Sequence, residues 1–268
     1  MFLGKVKRKV NLLGDPGVGK TSLVIRYVKN QFGDEYLKTI GMNTYTKKVP
    51  LLGLQVKLLI NDIMGEKNFN LVQKGAFKGS YGAIAVVDAT RKDTLDSLVD
   101  EWIPRYRSLS RQNAPIILAI NKDDLEDKEL KTEDDLEGYY KHFDYYFFTS
   151  AKTGKQVNRA FKELASRTVY QTSQKMDEVE DPLSIDEIND HRELLDCVFL
   201  CTSIVGDMPY STREELLKES GIDKFQLEEG VPKEEIEKFA EKVLAWYDEQ
   251  GDRESSDKVR TLLEKYNH

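Results

Sequence analysis

The sequence is poor in cysteine, and this shortage narrows the possible settings of the protein. Only two cysteines occur in 268 residues, Cys197 and Cys201, which excludes a disulfide-stapled secreted scaffold and favours a reducing compartment. Without a nearby histidine, two thiols are also too few ligands for a structural metal site. Their i, i+4 spacing instead predicts two buried thiols on one face of a helix.

Long apolar runs and targeting signals are lacking as well. The most apolar stretch of the C-terminal part, LLDCVFLCTSIV, is interrupted by Asp196 and is far shorter than the roughly 20 residues that cross a bilayer. The first residues lack the apolar core of a signal peptide, Phe2 stands where an N-myristoylation signal has glycine, and the final EKYNH has no cysteine for prenylation. We therefore expect a cytoplasmic protein without a direct lipid anchor.

Basic residues are concentrated in the first part of the chain and acidic residues in the second. Residues 1–173 hold 28 Lys+Arg against 21 Asp+Glu, a net +7, and residues 174–268 hold 12 against 26, a net −14. The total of −7 argues against nucleic acid as a partner. The asymmetry fits three situations: the two parts attract each other, they recruit different partners, or the second part has a solvated acidic surface.

Apolar runs alternate with helical patterns over the first 172 residues. YGAIAVVDAT and APIILAINKDD are nearly continuous apolar runs, as expected of strands covered on both faces. The alternation predicts an α/β fold with a mostly parallel sheet and helices on both faces. A turn near residues 50–53 predicts a hairpin that adds one antiparallel edge strand.

The remaining residues predict a small all-α domain. Residues 173–183 are polar, contain a proline and are interpreted as a linker, and residues 184–268 have helical patterns throughout. The pairs Ser184/Glu187 and Ser211/Glu214 have the spacing of capping boxes. One helix is predicted after Pro232, with an apolar face formed by Ile236, Phe239, Val243, Leu244 and Trp246.

The segment GDPGVGKT, Gly14 to Thr21, follows a predicted strand and opens a predicted helix. It fits the phosphate-binding pattern G-x-x-x-x-G-K-[ST] in the structural context that the pattern requires. The loop amides and the helix N-terminus supply positive potential for a phosphate chain. Lys20 would reach the β- and γ-phosphates and the Thr21 hydroxyl would bind Mg²⁺. The loop alone does not select between ATP and GTP.

Two further segments predict a guanine site. Asn121, Lys122 and Asp124 form an N-K-x-D pattern at the end of an apolar strand, and TSAKTG follows the next strand. The Asp124 carboxylate can accept from guanine N1–H and the exocyclic amine, a donor pair that adenine lacks. The Ala151 amide could donate to guanine O6. Three such motifs in order, each after a strand, lie at the strand ends where α/β proteins bind ligands.

These motifs resemble those of the small GTPases of the Ras superfamily, most closely the Rab branch. LLGDPGVGKTSL, YLKTIG, DIMG, NKDD and TSAK occur in the family's order and spacing, and the resemblance covers about Lys5 to Tyr170. It implies a P-loop NTPase G domain with a six-stranded sheet over residues 1–172. It does not extend to the helical tail.

The resemblance also implies roles for individual residues. Nucleotide binding is expected of Gly17, Val18, Gly19, Lys20, Thr21, Ser22, Phe32, Thr39, Gly65, Asn121, Lys122, Asp124, Ser150, Ala151 and Lys152. Mg²⁺ is expected at Thr21, Thr39 and Asp62. Catalysis is expected of Lys20, Thr39, Gly65 and Glu66. Effector, exchange-factor and activating proteins are expected to bind through residues 32–43 and 62–78 of a monomer that cycles between GTP and GDP.

The sequence departs from the family at two positions of the phosphate site. Glu66 stands where the family has the Gln that orients the attacking water, and an ionised carboxylate can only accept hydrogen bonds. Slow intrinsic hydrolysis is therefore expected, unless Glu66 acts as a base or a partner completes the site. Pro16 occupies a loop position that is usually small, and it has no backbone N–H.

Two functions remain open from the sequence. One is a GTP-hydrolysing switch whose tail is regulatory, docking on the GTPase domain, or binds a partner. The other is a nucleotide-loaded scaffold with negligible turnover. Asn121 and Asp124 argue against a P-loop kinase or ATPase.

Overall fold

Six strands form one sheet in the computed structural model, which describes residues 4–32, 41–51, 54–63, 71–170, 188, 191–202, 208–223 and 231–267. The strands are β1 (Gly4–Leu13), β2 (Met42–Pro50), β3 (Leu54–Ile63), β4 (Gly82–Asp88), β5 (Ile116–Asn121) and β6 (Tyr145–Phe148). Their order across the sheet is β2-β3-β1-β4-β5-β6. The predicted six-stranded sheet is confirmed.

The carboxyl ends of four parallel strands lie at one edge of this sheet. β1 pairs with β4, β4 with β5, and β5 with β6, all in parallel. Leu13 is opposite Ala85, and Asp88 is opposite Asn121. The loops that follow β1, β4, β5 and β6 therefore emerge at the same edge, where α/β sheets bind ligands.

The neighbouring strands β2 and β3 are joined by the predicted hairpin. The Leu51 N–H donates to the Leu54 carbonyl at 2.8 Å. A connection this short can join neighbouring strands only if they run antiparallel. β2 is an edge strand, as predicted, and most of its side chains are exposed.

Helices cover both faces of the sheet. Those of the first part are α1 (Lys20–Lys29), α2 (Leu71–Phe77), α3 (Asp93–Ser97), α4 (Ile103–Arg107) and α5 (Val157–Tyr170). Ala83, Ala85 and Val87 share a core cluster with side chains of α2, α3 and α4. Alternate residues of a strand point to opposite faces, so Ile84 and Val86, also fully buried, face the other layer. That layer contains α5, which contacts β4 and β5, and α1, which contacts α5.

The chain divides into two compact units. One comprises Lys7–Val49 and Lys57–Thr172, and the other comprises Met1–Val6, Pro50–Val56 and Ser173–His268. The helices described in the second unit are α6 (His191–Leu200), α7 (Tyr210–Glu219), α8 (Lys233–Gln250) and α9 (Arg253–Asn267). None of the described helices is both long enough and apolar enough to span a bilayer.

The second unit has a core of its own. α8 contacts α6, α7 and α9, and α6 also contacts α9. Phe199 and Phe239 are buried there, with ring centroids 6.4 Å apart. Cys197 and Cys201 form no disulfide and are buried, as their spacing predicted.

One detail of the tail prediction is wrong. α7 begins at Tyr210 after Pro209, so Ser211 lies inside the first turn and forms no capping box with Glu214. Proline suits the position before a helix because its φ is fixed and it has no N–H to satisfy. On α8, Leu244 and Trp246 are only partly buried, whereas the unpredicted Ala240 and Tyr247 are buried. The pair Ser184/Glu187 lies outside the described residues.

Candidate functional site

The loop between β1 and α1 has a backbone that only glycine accommodates at two positions. Gly14 has φ 129°, and a Cβ there would lie 2.2 Å from the Val86 carbonyl oxygen. Gly19 has φ 98°, and its Cβ would lie 2.3 Å from Asn121 Nδ2. Real Cβ atoms do not approach so closely, so a side chain at Gly14 would push the loop away from the β4 backbone, and one at Gly19 would displace the Asn121 amide. The sequence GDPGVGKT therefore folds as a tight loop against the strand ends.

Lys20 is the first residue of α1, and its side chain is buried in this loop. Its Nζ donates to the carbonyl oxygens of Gly14 at 2.7 Å and Asp15 at 2.8 Å. Burial lowers the pKa of Lys20 from 10.5 to about 8, although the carboxylates of Asp62 and Asp15 raise it in part. The ammonium is thus held inside the loop at a desolvation cost that a bound anion would offset.

Thr21 and Asp62 form the pair that the sequence analysis assigned to a metal. The Thr21 hydroxyl donates to Asp62 Oδ2 at 2.7 Å, and Asp62 is fully buried near the end of β3. A hydroxyl and a carboxylate are hard oxygen ligands that suit Mg²⁺, which keeps several waters and needs few protein ligands. Within the described residues no cluster of three or more His, Cys, Asp or Glu could hold a metal. The third expected ligand, Thr39, lies outside the described residues.

Asn121 joins the phosphate loop to the segment that follows β6. Its Nδ2 donates to the Val18 carbonyl at 2.9 Å, and its Oδ1 accepts from the Ala151 N–H at 3.1 Å. All three residues are buried. One side chain at the end of β5 therefore fixes the spacing of two loops that are far apart in the sequence.

Asp124 stands exposed at the same edge, held by a neighbouring hydroxyl. The Ser150 hydroxyl donates to Asp124 Oδ1 at 2.6 Å and accepts from the Thr153 N–H at 3.0 Å. Lys152 is exposed, and its carbonyl accepts from Arg26 Nη2 at 2.5 Å. Arg26 belongs to none of the motifs in the sequence, because its position within α1 gives no local signal.

Asp88, which the sequence analysis also missed, holds Lys122. Lys122 Nζ donates to Asp88 Oδ2 at 2.6 Å, and the Thr90 N–H and hydroxyl donate to Oδ1 at 3.1 and 2.8 Å. Burial favours the neutral acid, but the hydrogen bonds from Lys122 and Thr90 outweigh it and keep the pKa of Asp88 below its usual value. Its place at the carboxyl end of β4 is the signal that could have identified it.

A π-helical turn between α3 and α4, Leu98–Trp102, braces the phosphate loop. Ser97 Oγ and Trp102 Nε1 both donate to Asp15 Oδ1, at 2.9 and 2.8 Å. A π-turn has more than four residues per turn, so residues five apart approach the same face. An uninterrupted α-helix would separate these two donors.

A chain of polar side chains crosses the sheet beneath the site. Thr44 Oγ1 donates to Asn61 Oδ1 at 3.0 Å, and Asn61 Nδ2 donates to Asn11 Oδ1 at 3.2 Å. Asn11 Nδ2 donates to Ser80 Oγ at 2.8 Å, which also accepts from the Tyr106 hydroxyl at 3.1 Å. From Asn61 to Tyr106 these side chains are buried. Asn61 directly precedes Asp62, so this chain of hydrogen bonds supports the strand that carries Asp62.

The other predicted site residues fall into two groups. Gly17 is exposed in the loop, Ser22 is half-buried in the first turn of α1, and the Phe32 side chain is 39% exposed. Thr39, Gly65 and Glu66 lie outside the described residues, so their roles stay predictions.

The segments predicted to bind partner proteins expose large apolar side chains. In addition to Phe32, three apolar side chains of these segments face water: Met42 is 41% exposed, Leu71 85% and Val72 41%. Leu71 begins α2, and Met42 begins β2. Apolar side chains of this size that face water are typical of docking surfaces when they cluster.

Comparison with known sequences gives one family. A sequence model of the Ras family matches residues 9–170. The chain is 31% identical to the Ras-related protein Rab-11B of Dictyostelium discoideum over 163 residues, which are 60% of this chain and 74% of the relative. It is 36% identical to the Ras-related protein Rab5 of Nicotiana tabacum over 160 residues, 59% of this chain and 80% of the relative.

Proposed function

The chain belongs to the Ras family, near its Rab branch, and on that premise we propose that it binds GTP and GDP with Mg²⁺ and acts as a molecular switch with slow intrinsic hydrolysis. The observation that carries the proposal is the position of Asn121. It bridges Val18 of the phosphate loop and Ala151 of the TSAK segment. A phosphate site and a base site joined by one side chain suit a nucleotide better than an isolated phosphate.

Phosphate recognition is assigned to the loop and to Lys20. The backbone amides of residues 17–22 point positive dipoles at an anion at the start of α1. Lys20 adds a full charge that is already desolvated, and Thr21 with Asp62 would hold Mg²⁺, which would neutralise charge on the phosphate oxygens. Thr39 and Gly65 are proposed to contact the terminal phosphate and to release when it is lost.

Base selection is assigned to Asp124 and its neighbours. The Asp124 carboxylate is accessible and oriented by Ser150, so it can accept from the two donors on the guanine edge. Adenine would leave it unpaired, which costs more than a weak contact gains. Lys122 is held by Asp88 at the edge where the base would stack.

Hydrolysis is proposed to be slow because Glu66 cannot donate a hydrogen bond to the attacking water. At about 4 Å and an effective dielectric constant of about 20, two like unit charges repel by roughly 4 kcal/mol, so an ionised Glu66 should turn away from the terminal phosphate. If turnover is negligible rather than slow, the protein is a nucleotide-loaded scaffold. Glu66 is the residue that supports this second candidate, because it replaces the Gln that orients the attacking water.

Residues 1–172 are proposed as the nucleotide-binding domain, 173–183 as a linker and 184–268 as a helical domain that is regulatory or binds a partner. Effector, exchange-factor and activating proteins are proposed to bind residues 32–43 and 62–78. The exposed Phe32, Met42 and Leu71 support that assignment. An acidic helical domain offers a second, chemically different surface.

The test is to identify the nucleotide that copurifies with the full chain and to time single-turnover hydrolysis of GTP. We expect bound GDP or GTP, slow conversion, and a gain on the order of 10- to 100-fold for Glu66→Gln. Binding of ATP as tightly as GTP would contradict the base assignment. No loss of GTP over hours, alone or with cell extract, would favour the scaffold, and an unchanged rate in Glu66→Gln would remove the account of slow hydrolysis.

A further inference from the structure

Arg91 lies between β4 and α3, and its guanidinium spans from a buried carboxylate to the phosphate loop. Nε donates to Asp88 Oδ2 at 3.1 Å, and Nη2 donates to the Pro16 carbonyl at 3.5 Å. The Arg91 side chain is 43% exposed, whereas that of Asp88 is 2% exposed. One end of the guanidinium is thus fixed in the protein and the other reaches the loop.

The contact with Pro16 sets the direction of the next backbone N–H. The described residues contain no cis peptide bond, so the Pro16 carbonyl and the Gly17 N–H point in opposite directions. With Arg91 on the carbonyl side, the Gly17 N–H is turned away from Arg91. Arg91 also lies close to Gly17, since Nη2 is 4.0 Å from the position that a Gly17 Cβ would take.

Pro16 makes this N–H more important than it would be in an ordinary phosphate loop. Proline has no backbone N–H, so the loop offers one donor fewer to an anion. Gly17 supplies the next amide, and its φ of 77° lies in a region where glycine is free to change conformation. A guanidinium on the carbonyl of the same peptide restrains that freedom and polarises the N–H.

We propose that Arg91 is a positioning residue for phosphate recognition, which acts through the Pro16 carbonyl to aim the Gly17 N–H at the phosphates of a bound nucleoside diphosphate or triphosphate. The inference rests on the proposed function, because it needs a nucleotide in the loop. Asp88 contributes by holding Arg91 and Lys122 on the same oxygen. The phosphate loop and the base motif are therefore tied to one carboxylate.

Because the Arg91 side chain is 43% exposed, its contacts could also be those of a surface ion pair of little consequence. The two interpretations, a surface ion pair and a positioning contact, predict effects on different properties. A surface pair changes stability slightly and leaves the bound phosphates alone. A positioning contact changes the retention of nucleotide and the environment of its phosphorus atoms.

The experiment compares the full chain with Arg91→Ala, Arg91→Lys and Lys92→Ala, each loaded with Mg²⁺ and fluorescent GDP. Lys92 is the matched control, because it is the exposed neighbour and its loss removes the same charge. Release of GDP is timed by fluorescence, and the β-phosphate resonance of bound GDP is recorded by ³¹P NMR. Thermal unfolding of each variant checks that it is folded.

Arg91→Ala should release GDP about 5- to 10-fold faster than the unchanged protein and should shift the β-phosphate resonance. An effect of this size is expected because the variant loses one hydrogen bond from a charged donor. Arg91→Lys should fall between the two, since it keeps the charge without the fork. Lys92→Ala should change neither. Equal release rates and an unmoved resonance in both Arg91 variants would overturn the inference alone, whereas failure of the unchanged protein to bind GDP would overturn the proposed function with it.

Discussion

The hydroxyl of Thr21 donates a 2.7 Å hydrogen bond to Asp62 Oδ2, joining the first turn of α1 to the end of β3. The two residues are 41 positions apart, and each is ordinary by itself. Their contact brings two hard oxygen ligands together beside the phosphate loop. A cation bound by both residues would link the first turn of α1 to the end of β3.

Removal of the Thr21 hydroxyl should abolish the Mg²⁺ dependence of nucleotide retention. In the unchanged protein, chelation of Mg²⁺ by EDTA should speed GDP release by at least about tenfold, whereas Thr21→Ala should release GDP at one rate with or without EDTA. Thr21→Ser is the matched control, because it keeps the hydroxyl. An EDTA effect of the same size in Thr21→Ala would remove Thr21 from the metal site.

Nucleotide affinity should fall as pH rises above about 8. In the nucleotide-free protein, burial lowers the pKa of Lys20 to about 8, against the opposing influence of Asp62 and Asp15. A bound phosphate favours the charged ammonium and raises this pKa, so binding takes up a proton above pH 8 and the affinity decreases by up to about tenfold per pH unit. Below pH 8 the ammonium is already charged, and its titration adds no dependence.

The lowered pKa of Lys20 also makes the stability of the nucleotide-free protein depend on pH. Because the pKa of Lys20 is below its ordinary 10.5, the unfolded chain binds more protons than the folded protein between about pH 8 and 10.5. The nucleotide-free protein therefore gains stability from this group as pH rises through that window.

Fluorescent GDP titrations from pH 7 to 9.5 measure the predicted fall in nucleotide affinity. Lys20→Arg is the control, since its guanidinium stays charged; a parallel decline in that variant would trace the effect to the nucleotide itself.

Replacing Asn61 should destabilise the protein through Asn11. In Asn61→Leu the buried Asn11 Oδ1 loses the donor now at 3.2 Å, which should lower the free energy of unfolding by about 1–3 kcal/mol. The double variant Asn11→Leu/Asn61→Leu should lose less than the sum of the single variants, because neither Asn then leaves the other without its hydrogen-bond partner. Thr44→Val, at the exposed end of the chain of hydrogen bonds, should stay within about 0.5 kcal/mol. Strict additivity in urea denaturation would disprove the coupling.

Arg213 should be essential to the core of the helical unit. Its side chain is buried, and Nη1 donates to the carbonyls of Thr202 at 2.8 Å and Met208 at 2.7 Å. Arg213→Leu leaves both carbonyls without that donor, and we expect a loss of about 2–4 kcal/mol, seen as faster hydrogen exchange in α6 and α7. Lys242→Ala, which breaks the exposed pair with Glu219, should change exchange little. Equal exchange in the two variants would contradict a central role for Arg213.

Local patterns in the sequence were sufficient to predict the sheet and the positions of the motifs. Continuous apolar runs identify buried strands, and a glycine-rich loop between a strand and a helix indicates the proposed phosphate site, because both signals depend on the properties of neighbouring residues. The prediction of a capping box at Ser211 was wrong because it considered only one of two local signals for a helix start. Pro209 competes for the same helix start, and two local signals in conflict are settled by packing.

The sequence by itself determined the fold class, the family and the residue types at the proposed nucleotide site, since these follow from periodicity and from motifs a few residues long. Only the tertiary structure decided how the motifs support one another: that Asn121 joins two loops, that Asp88 holds both Lys122 and Arg91, and that a π-turn brings Ser97 and Trp102 to Asp15. Apart from Asp88 and Arg91, which are three residues apart, these partners are separated by many residues along the chain. Their pairing depends on the order of strands in the sheet and on helix geometry, which no short stretch of sequence contains.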